Sequence, residues 1–198
     1  MLVTMPLSYG LGAKMIAAWL GTAASLLLAA GLASALADVA HLTGASSDES
    51  VYLGAQAGLS LQGLLVAGMV IGALGVLVDL TVSQASTVIA LRRANPALGF
   101  AGLFRGALDV GHDHIAATVN TLVFAYAGAS LPVLLIFTIG DVSFNDAVNG
   151  EAVAEQVIAA LIGSIGLIAS MPLTTALAAA LASRVPAESL EAHADHVH

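Results

Sequence analysis

The sequence predicts an all-α protein that crosses a membrane four times, and three observations lead to this fold class. Only 9% of the 198 residues are charged, against about 25% in an ordinary soluble domain. The 5 Lys and Arg and the 13 Asp and Glu are too few to cover a soluble globule of this length. Four uncharged stretches each reach the roughly 20 residues that cross a hydrocarbon core. These observations argue against a soluble domain and make a lipid bilayer the first expected partner.

The predicted spans follow the uncharged stretches of the chain, and the second continues past Asp79. They cover residues 15–37, 61–89, 115–140 and 156–183. With their connections, they are predicted to form a single transmembrane domain over residues 1–184. Residues 185–198 are expected to be an acidic, His-containing cytoplasmic tail.

The basic residues predict how the spans are oriented. All five fall on one side of the predicted membrane: Lys14, Arg92, Arg93, Arg105 and Arg184. The other two connections contain acidic residues but no Lys or Arg. Because short cytoplasmic loops carry an excess of basic residues, we expect both chain termini to be cytoplasmic.

A second interpretation concerns the first span. Ala35-Leu36-Ala37 before Asp38 is typical of a signal-peptidase site. However, the first span holds more uncharged residues than the roughly 7 to 15 of a usual signal-peptide core. We therefore expect it to remain in the protein, although cleavage would leave three spans with the same orientation.

The cytoplasmic connection after the second span has its own pattern. Asn95-Pro96 ends the second helix, because proline cannot continue it. Apolar residues then return at helical spacing over residues 97–110, which predicts a short amphipathic helix at the membrane interface. An irregular loop is the alternative.

Asp79 is the only formal charge inside a predicted span. It lies about 20 Å of helix from Arg92, so we expect it near the middle of the bilayer. An aspartate there costs about 2.5 to 3.5 kcal/mol and usually faces a cavity or a polar partner. The predicted polar path or ion-binding set comprises Asp79, Ser83, Ser86, Thr118, Asn120 and Thr121. Alternatively, a protonated Asp79 only stabilises helix packing.

Small residues share faces with these polar groups. On the second span, glycines fall within about 40° of the line through Asp79 at 100° per residue, and the fourth span carries a similar stripe. We predict that five of these glycines let helices approach closely: Gly68, Gly72, Gly75, Gly163 and Gly166.

Histidines form two groups that the topology places in the cytoplasm. His112 and His114 precede the third span, and His193 and His196 lie in the tail. Imidazoles beside carboxylates suit a weak divalent metal site, and the alternative is a solvated surface and tail. No other cofactor is expected.

Several classes of function are disfavoured by what the sequence lacks. The chain has no Cys, which excludes a disulfide framework or a thiolate metal site. Its net charge of -8 argues against nucleic acid as a partner. It contains no H-E-x-x-H, G-x-S-x-G or Walker motif. A single intramembrane aspartate cannot form the carboxyl pair of an aspartic protease. We therefore expect that the protein is not an enzyme.

Residues 68–91 and 113–137 resemble the YibE/F-like family of bacterial multi-pass membrane proteins. The likeness is specific at Gly72-Ala73-Leu74-Gly75, Asp79, Ser83-Gln84-Ala85-Ser86 and the run from Thr118 to Leu122. It implies an integral plasma-membrane protein and offers no substrate. Members are usually longer, so the chain resembles their C-terminal half. It departs from the family pattern at Val78, where a second polar residue is expected, and at His112, where Arg is common.

The leading functional hypothesis is a permease or channel component that moves a proton, a metal ion or a small solute past Asp79. Four helices are few for this task, so we expect a homo-oligomer or a partner membrane subunit. The alternative is a non-transporting membrane subunit or assembly protein in which Asp79 only fixes packing.

Overall fold

The structure is a computed structural model that describes residues 13–140 and 142–184. Every regular element in these residues is a helix: α1 (Ala13–Val39), α2 (Asp48–Ala57), α3 (Leu61–Ala94), α4 (Phe100–Ile139), α5 (Phe144–Asn149) and α6 (Glu151–Arg184). Helices α1, α3, α4 and α6 are long and apolar enough to cross a membrane. The predicted all-α, four-span fold class is thus confirmed. The predicted tail, with His193 and His196, lies outside the described residues.

The third long helix differs from its prediction. The helix expected at residues 97–110 and the span expected at 115–140 are one continuous helix, α4, which begins at Phe100. No proline interrupts the chain between these two segments. His112 and Asp113 lie on an exposed part of α4, where polar side chains do not oppose a helix. The predicted break at Asn95-Pro96 is present, because α3 ends at Ala94.

The two acidic connections contain short helices that the sequence analysis did not predict. Helix α2 begins after Ser47, whose hydroxyl accepts a hydrogen bond from the Ser50 amide at 3.2 Å. Ser143 caps α5 in the same way through the Asp146 amide. Such N-caps satisfy amides that the first helical turn leaves unpaired, so each serine fixes the start of a helix.

The described residues fall into two compact units. Among the described residues, unit 1 comprises residues 13–25, 76–117 and 167–184, and unit 2 comprises residues 26–75, 118–140 and 142–166. Each long helix contributes residues to both units.

The core of unit 1 is rich in alanine. Its buried members are Ala17, Ala18, Val82, Ala85, Val88, Ile89, Leu103, Ala107, Ala178, Ala179 and Ala182. Small side chains allow helix backbones to approach closely, which is how helices gain packing energy when lipid is as apolar as the protein interior. Gly21 extends this pattern, because a Cβ built there would lie only 2.2 Å from the Thr174 hydroxyl oxygen.

Polar side chains also pack inside unit 1. The Gln84 amide donates hydrogen bonds to the Ala107 carbonyl at 2.7 Å and to the Thr175 hydroxyl at 2.8 Å. The Thr22 and Thr81 hydroxyls share a hydrogen bond of 2.7 Å. These four side chains are buried, so the hydrogen bonds join all four long helices, α1, α3, α4 and α6, away from water.

Candidate functional site

Asp79 lies in α3 with its side chain exposed. Within residues 13–140 and 142–184 it forms no hydrogen bond or ion pair. The buried face of α3 in unit 1 contains Leu77, Leu80, Thr81 and Gln84, which lie about 100° to 160° from Asp79 around the helix. The carboxylate is therefore not on this buried face of α3.

The two serines near Asp79 are half-buried. The Ser86 hydroxyl donates to the Val82 carbonyl of the same helix at 2.6 Å, and Ser83 lies one helical turn from Asp79. Thus Asp79, Ser83 and Ser86 share one side of α3 in unit 1.

The other predicted members of the polar path belong to unit 2. Thr118 is half-buried, whereas Asn120 and Thr121 are exposed. Thr118 and Thr121 each form an interaction within the protein. The joint path through all six residues stays a prediction.

The predicted packing glycines have different surroundings. A Cβ at Gly163 would lie 2.5 Å from a methyl carbon of Leu122, so these two helices are in close contact there. Gly166 is buried. A Cβ at Gly68 or Gly75 would meet nothing within 4 Å, and one at Gly72 would lie 3.1 Å from the Tyr126 hydroxyl. Gly163 therefore lies at a close helix contact, as predicted, whereas the space beside α3 at Gly68 and Gly75 is open.

Gly68 and Gly72 line a cavity of about 310 Å³ in unit 2, which we call the Glu155 cavity. Its wall is formed by Gly44, Ser46, Ser50, Leu64, Leu65, Gly68, Met69, Gly72, Tyr126, Glu155, Gln156 and Ala159. Glu155 is the only residue with a formal charge in this wall, and it is only 7% exposed.

The two carboxylate oxygens of Glu155 differ in their hydrogen bonding. Oε2 accepts a hydrogen bond from the Ser46 hydroxyl at 2.7 Å. Oε1 is buried and has no hydrogen-bond partner among the described residues. Buried carboxylate oxygens are normally satisfied, so Oε1 lacks the hydrogen-bond partner that such an oxygen usually has.

Glu151, one helical turn earlier, shapes the cavity rim. Its carboxylate accepts hydrogen bonds from the Thr43 hydroxyl at 2.9 Å and from the Thr43 and Gly44 amides. Gly44 has φ +76 and a Cβ there would lie 2.4 Å from the Leu61 carbonyl oxygen, so this turn needs glycine. The connection before α2 is therefore hydrogen-bonded to the first two turns of α6.

The sequence analysis did not single out Glu155. It placed this residue in the last connection, one position before the fourth span, whereas α6 begins at Glu151. The four-residue spacing of Glu151 and Glu155 puts both carboxylates on one face of a helix, and this spacing was the available signal.

The predicted metal site is only partly described. His112 is exposed, and His114 is half-buried with an interaction inside the protein. In the part of the chain that the structure describes, no three His, Cys, Asp or Glu side chains are close enough to hold a metal ion. The weak site that joins these histidines to the tail stays a prediction.

Comparison with known proteins identifies the family of the chain. A model of the family described as YibE/F-like protein matches residues 1–184. Comparisons with the curated proteins and with the solved structures gave no match. The family match covers all four long helices, Asp79 and the Glu155 cavity.

Proposed function

Since the chain belongs to the YibE/F-like family, we propose that it is a component of a permease or channel in the bacterial plasma membrane. In this proposal, Asp79 lies on a polar path that is completed by another subunit. The path carries a proton, a metal ion or a small solute. This role requires no catalytic chemistry and no resident cofactor.

The exposed position of Asp79 carries the proposal. A carboxyl group in the middle of a membrane span is costly when lipid surrounds it, and such groups usually face a partner or a water-filled space. Within the described residues Asp79 has neither a hydrogen bond nor an ion pair. A second copy of this chain, or a partner membrane subunit, would cover the Asp79 face and form the other wall of the path.

Replacement of Asp79 by Asn tests this function. Asn retains shape and hydrogen-bonding capacity but cannot ionise. We expect Asp79→Asn to fold and assemble while proton, Na⁺ or Mg²⁺ flux falls at least about tenfold, as expected for removal of a charge-assisted contact. Fluxes would be measured in reconstituted vesicles, and assembly by size-exclusion chromatography.

Two further variants serve as controls for Asp79→Asn. Asp109→Asn removes an exposed carboxylate of α4 in unit 1 and should leave flux unchanged. Asp79→Leu removes the hydrogen bonds as well and should impair assembly. Wild-type flux with normal pH dependence in well-folded Asp79→Asn would refute the transport role. The protein would then fit the alternative role of a non-transporting subunit.

The proposed topology has both termini in the cytoplasm. The basic residues support it, since all five are in the residues of unit 1 and none is in those of unit 2. The chain has no Cys, so single cysteines can be introduced without background labelling. Cysteines at Ser47 and Asn149 should react with an impermeant reagent in intact cells, and one at Asn95 only after permeabilisation. Labelling at Asn95 in intact cells would contradict this orientation.

A further inference from the structure

We propose that the Glu155 cavity binds a small organic ammonium ion. This inference goes beyond the transport proposal and uses no residue of the Asp79 set. The cavity volume of about 310 Å³ equals roughly ten water molecules at about 30 Å³ each. It is therefore larger than a bare ion requires and suits a short amine.

The charge of the cavity favours a cation. Glu155 is 7% exposed, and its Oε1 has no partner among the described residues. The described residues of unit 2 include six Asp and Glu but no Lys or Arg. Burying a carboxylate without a counter-charge is unfavourable, so a cationic ligand would stabilise its ionised form.

The donor set distinguishes an ammonium ion from a divalent metal. Glu155 is the only carboxylate in the cavity wall, and Ser46 already bonds one of its oxygens. Divalent cations such as Ca²⁺ normally take six or more oxygen ligands, commonly with several carboxylates. An ammonium group instead needs up to three acceptors, and the wall includes the oxygen-bearing side chains of Glu155, Ser50 and Tyr126.

The rest of the wall suits the carbon chain of an amine. Leu64, Leu65 and Met69 provide apolar contacts, while Gly68 and Gly72 leave room because they have no side chains. The same primary ammonium chemistry occurs in soluble alkylamines and in the ethanolamine headgroup of lipids. Both sources are compatible with the cavity, and the experiment below separates them.

The test uses n-butylammonium titrated into the full chain in phosphatidylcholine nanodiscs, where the lipid headgroup has no N–H group. Calorimetry should detect binding to the wild type. Glu155→Gln should weaken it at least about tenfold, because a charge-assisted hydrogen bond is lost. Glu49→Gln makes the same chemical change at an exposed residue of unit 2 and should leave the affinity within about twofold.

A cavity-filling variant provides a second measurement that leaves Glu155 in place. A Cβ at Gly68 meets nothing within 4 Å, so Gly68→Leu should fold while its side chain occupies the cavity. It should weaken n-butylammonium binding at least as much as Glu155→Gln does. Unchanged affinity in Gly68→Leu would place the ligand elsewhere and overturn the proposal.

Binding and competition experiments on the wild type test whether the ligand is an ammonium ion, even if a variant fails to fold. No binding of n-butylammonium, equal binding of neutral 1-butanol, or its displacement by equimolar Mg²⁺ would each overturn an ammonium site. Nanodiscs that contain phosphatidylethanolamine identify the source. A weaker apparent affinity there supports the lipid headgroup as ligand, and an unchanged affinity supports a soluble amine. Neither result bears on flux through the Asp79 path.

Discussion

Gly21→Ala is expected to destabilise the protein by about 1 to 3 kcal/mol, the usual cost of overpacking. The new Cβ would lie 2.2 Å from the hydroxyl oxygen and 3.0 Å from the Cβ of Thr174. Thr174 is fully buried, so it has little space in which to move. Gly31→Ala is the matched control on the same helix. A Cβ there meets nothing within 4 Å, and alanine should stabilise the helix by up to about 1 kcal/mol.

The two variants should change the free energy of unfolding in opposite directions. This can be measured by unfolding both in detergent and following circular dichroism. Adding Thr174→Ala to Gly21→Ala should restore most of the lost stability, because it removes the clashing oxygen. The Thr174 hydroxyl has no hydrogen-bond partner among the described residues, so its removal sacrifices no bond seen there. Equal stability of Gly21→Ala and Gly31→Ala would show that these helices are not in tight contact.

Gln84→Leu is expected to lower stability by about 1 to 3 kcal/mol through loss of two buried hydrogen bonds. Leucine keeps the volume approximately, so the loss reports mainly on the bonds to Ala107 and Thr175. Gln56→Leu, at an exposed position of α2, serves as the matched control and should change stability by less than about 0.5 kcal/mol.

A double-mutant cycle with Thr175→Val isolates the bond between the two side chains. If Gln84 and Thr175 are coupled as the 2.8 Å contact indicates, the double variant should lose less than the sum of the single losses. The expected difference is at least about 0.5 kcal/mol. Additive losses would mean that this contact contributes nothing to stability.

The positions of the long helices could be predicted because charges limit where a chain can enter lipid. Lys14 and Asp38 bound the first span closely, and Asn95-Pro96 correctly marked the end of the second helix. The junction inside α4 could not be predicted from charge, because a helix continues into water as readily as it crosses lipid. The charges around His112 and Asp113 therefore predict two segments, 97–110 and 115–140, where the structure has one helix.

The rotation of α3 could not be predicted from the sequence. In a soluble helix the apolar face points inward, but a helix surrounded by lipid has no such preference. Gly75 and Asp79 of the predicted stripe are exposed in the single chain, and helical periodicity gives no information about which helix or subunit faces them. Steric fit around Leu77, Leu80 and Gln84 determines the inward face instead.

The Glu155 cavity was missed for a different reason. Its geometry depends on Ser46, which is 109 residues from Glu155 in the chain. A single sequence carries helical periodicity but no record of which distant side chains meet. Even the spacing of Glu151 and Glu155 indicates only a shared face and gives no information about what that face contacts.

The hydrogen bonds from Thr43 and Gly44 to Glu151 also affect the order in which the protein folds during translation. During synthesis these residues leave the ribosome more than a hundred positions before their acceptor does. Until Glu151 has been translated, the Thr43 and Gly44 amides lack this acceptor. The connection between the first two long helices therefore cannot complete these contacts until then, although it is among the first parts to be translated. A nascent chain stalled before Glu151 should expose this connection to protease, and release of α6 should protect it.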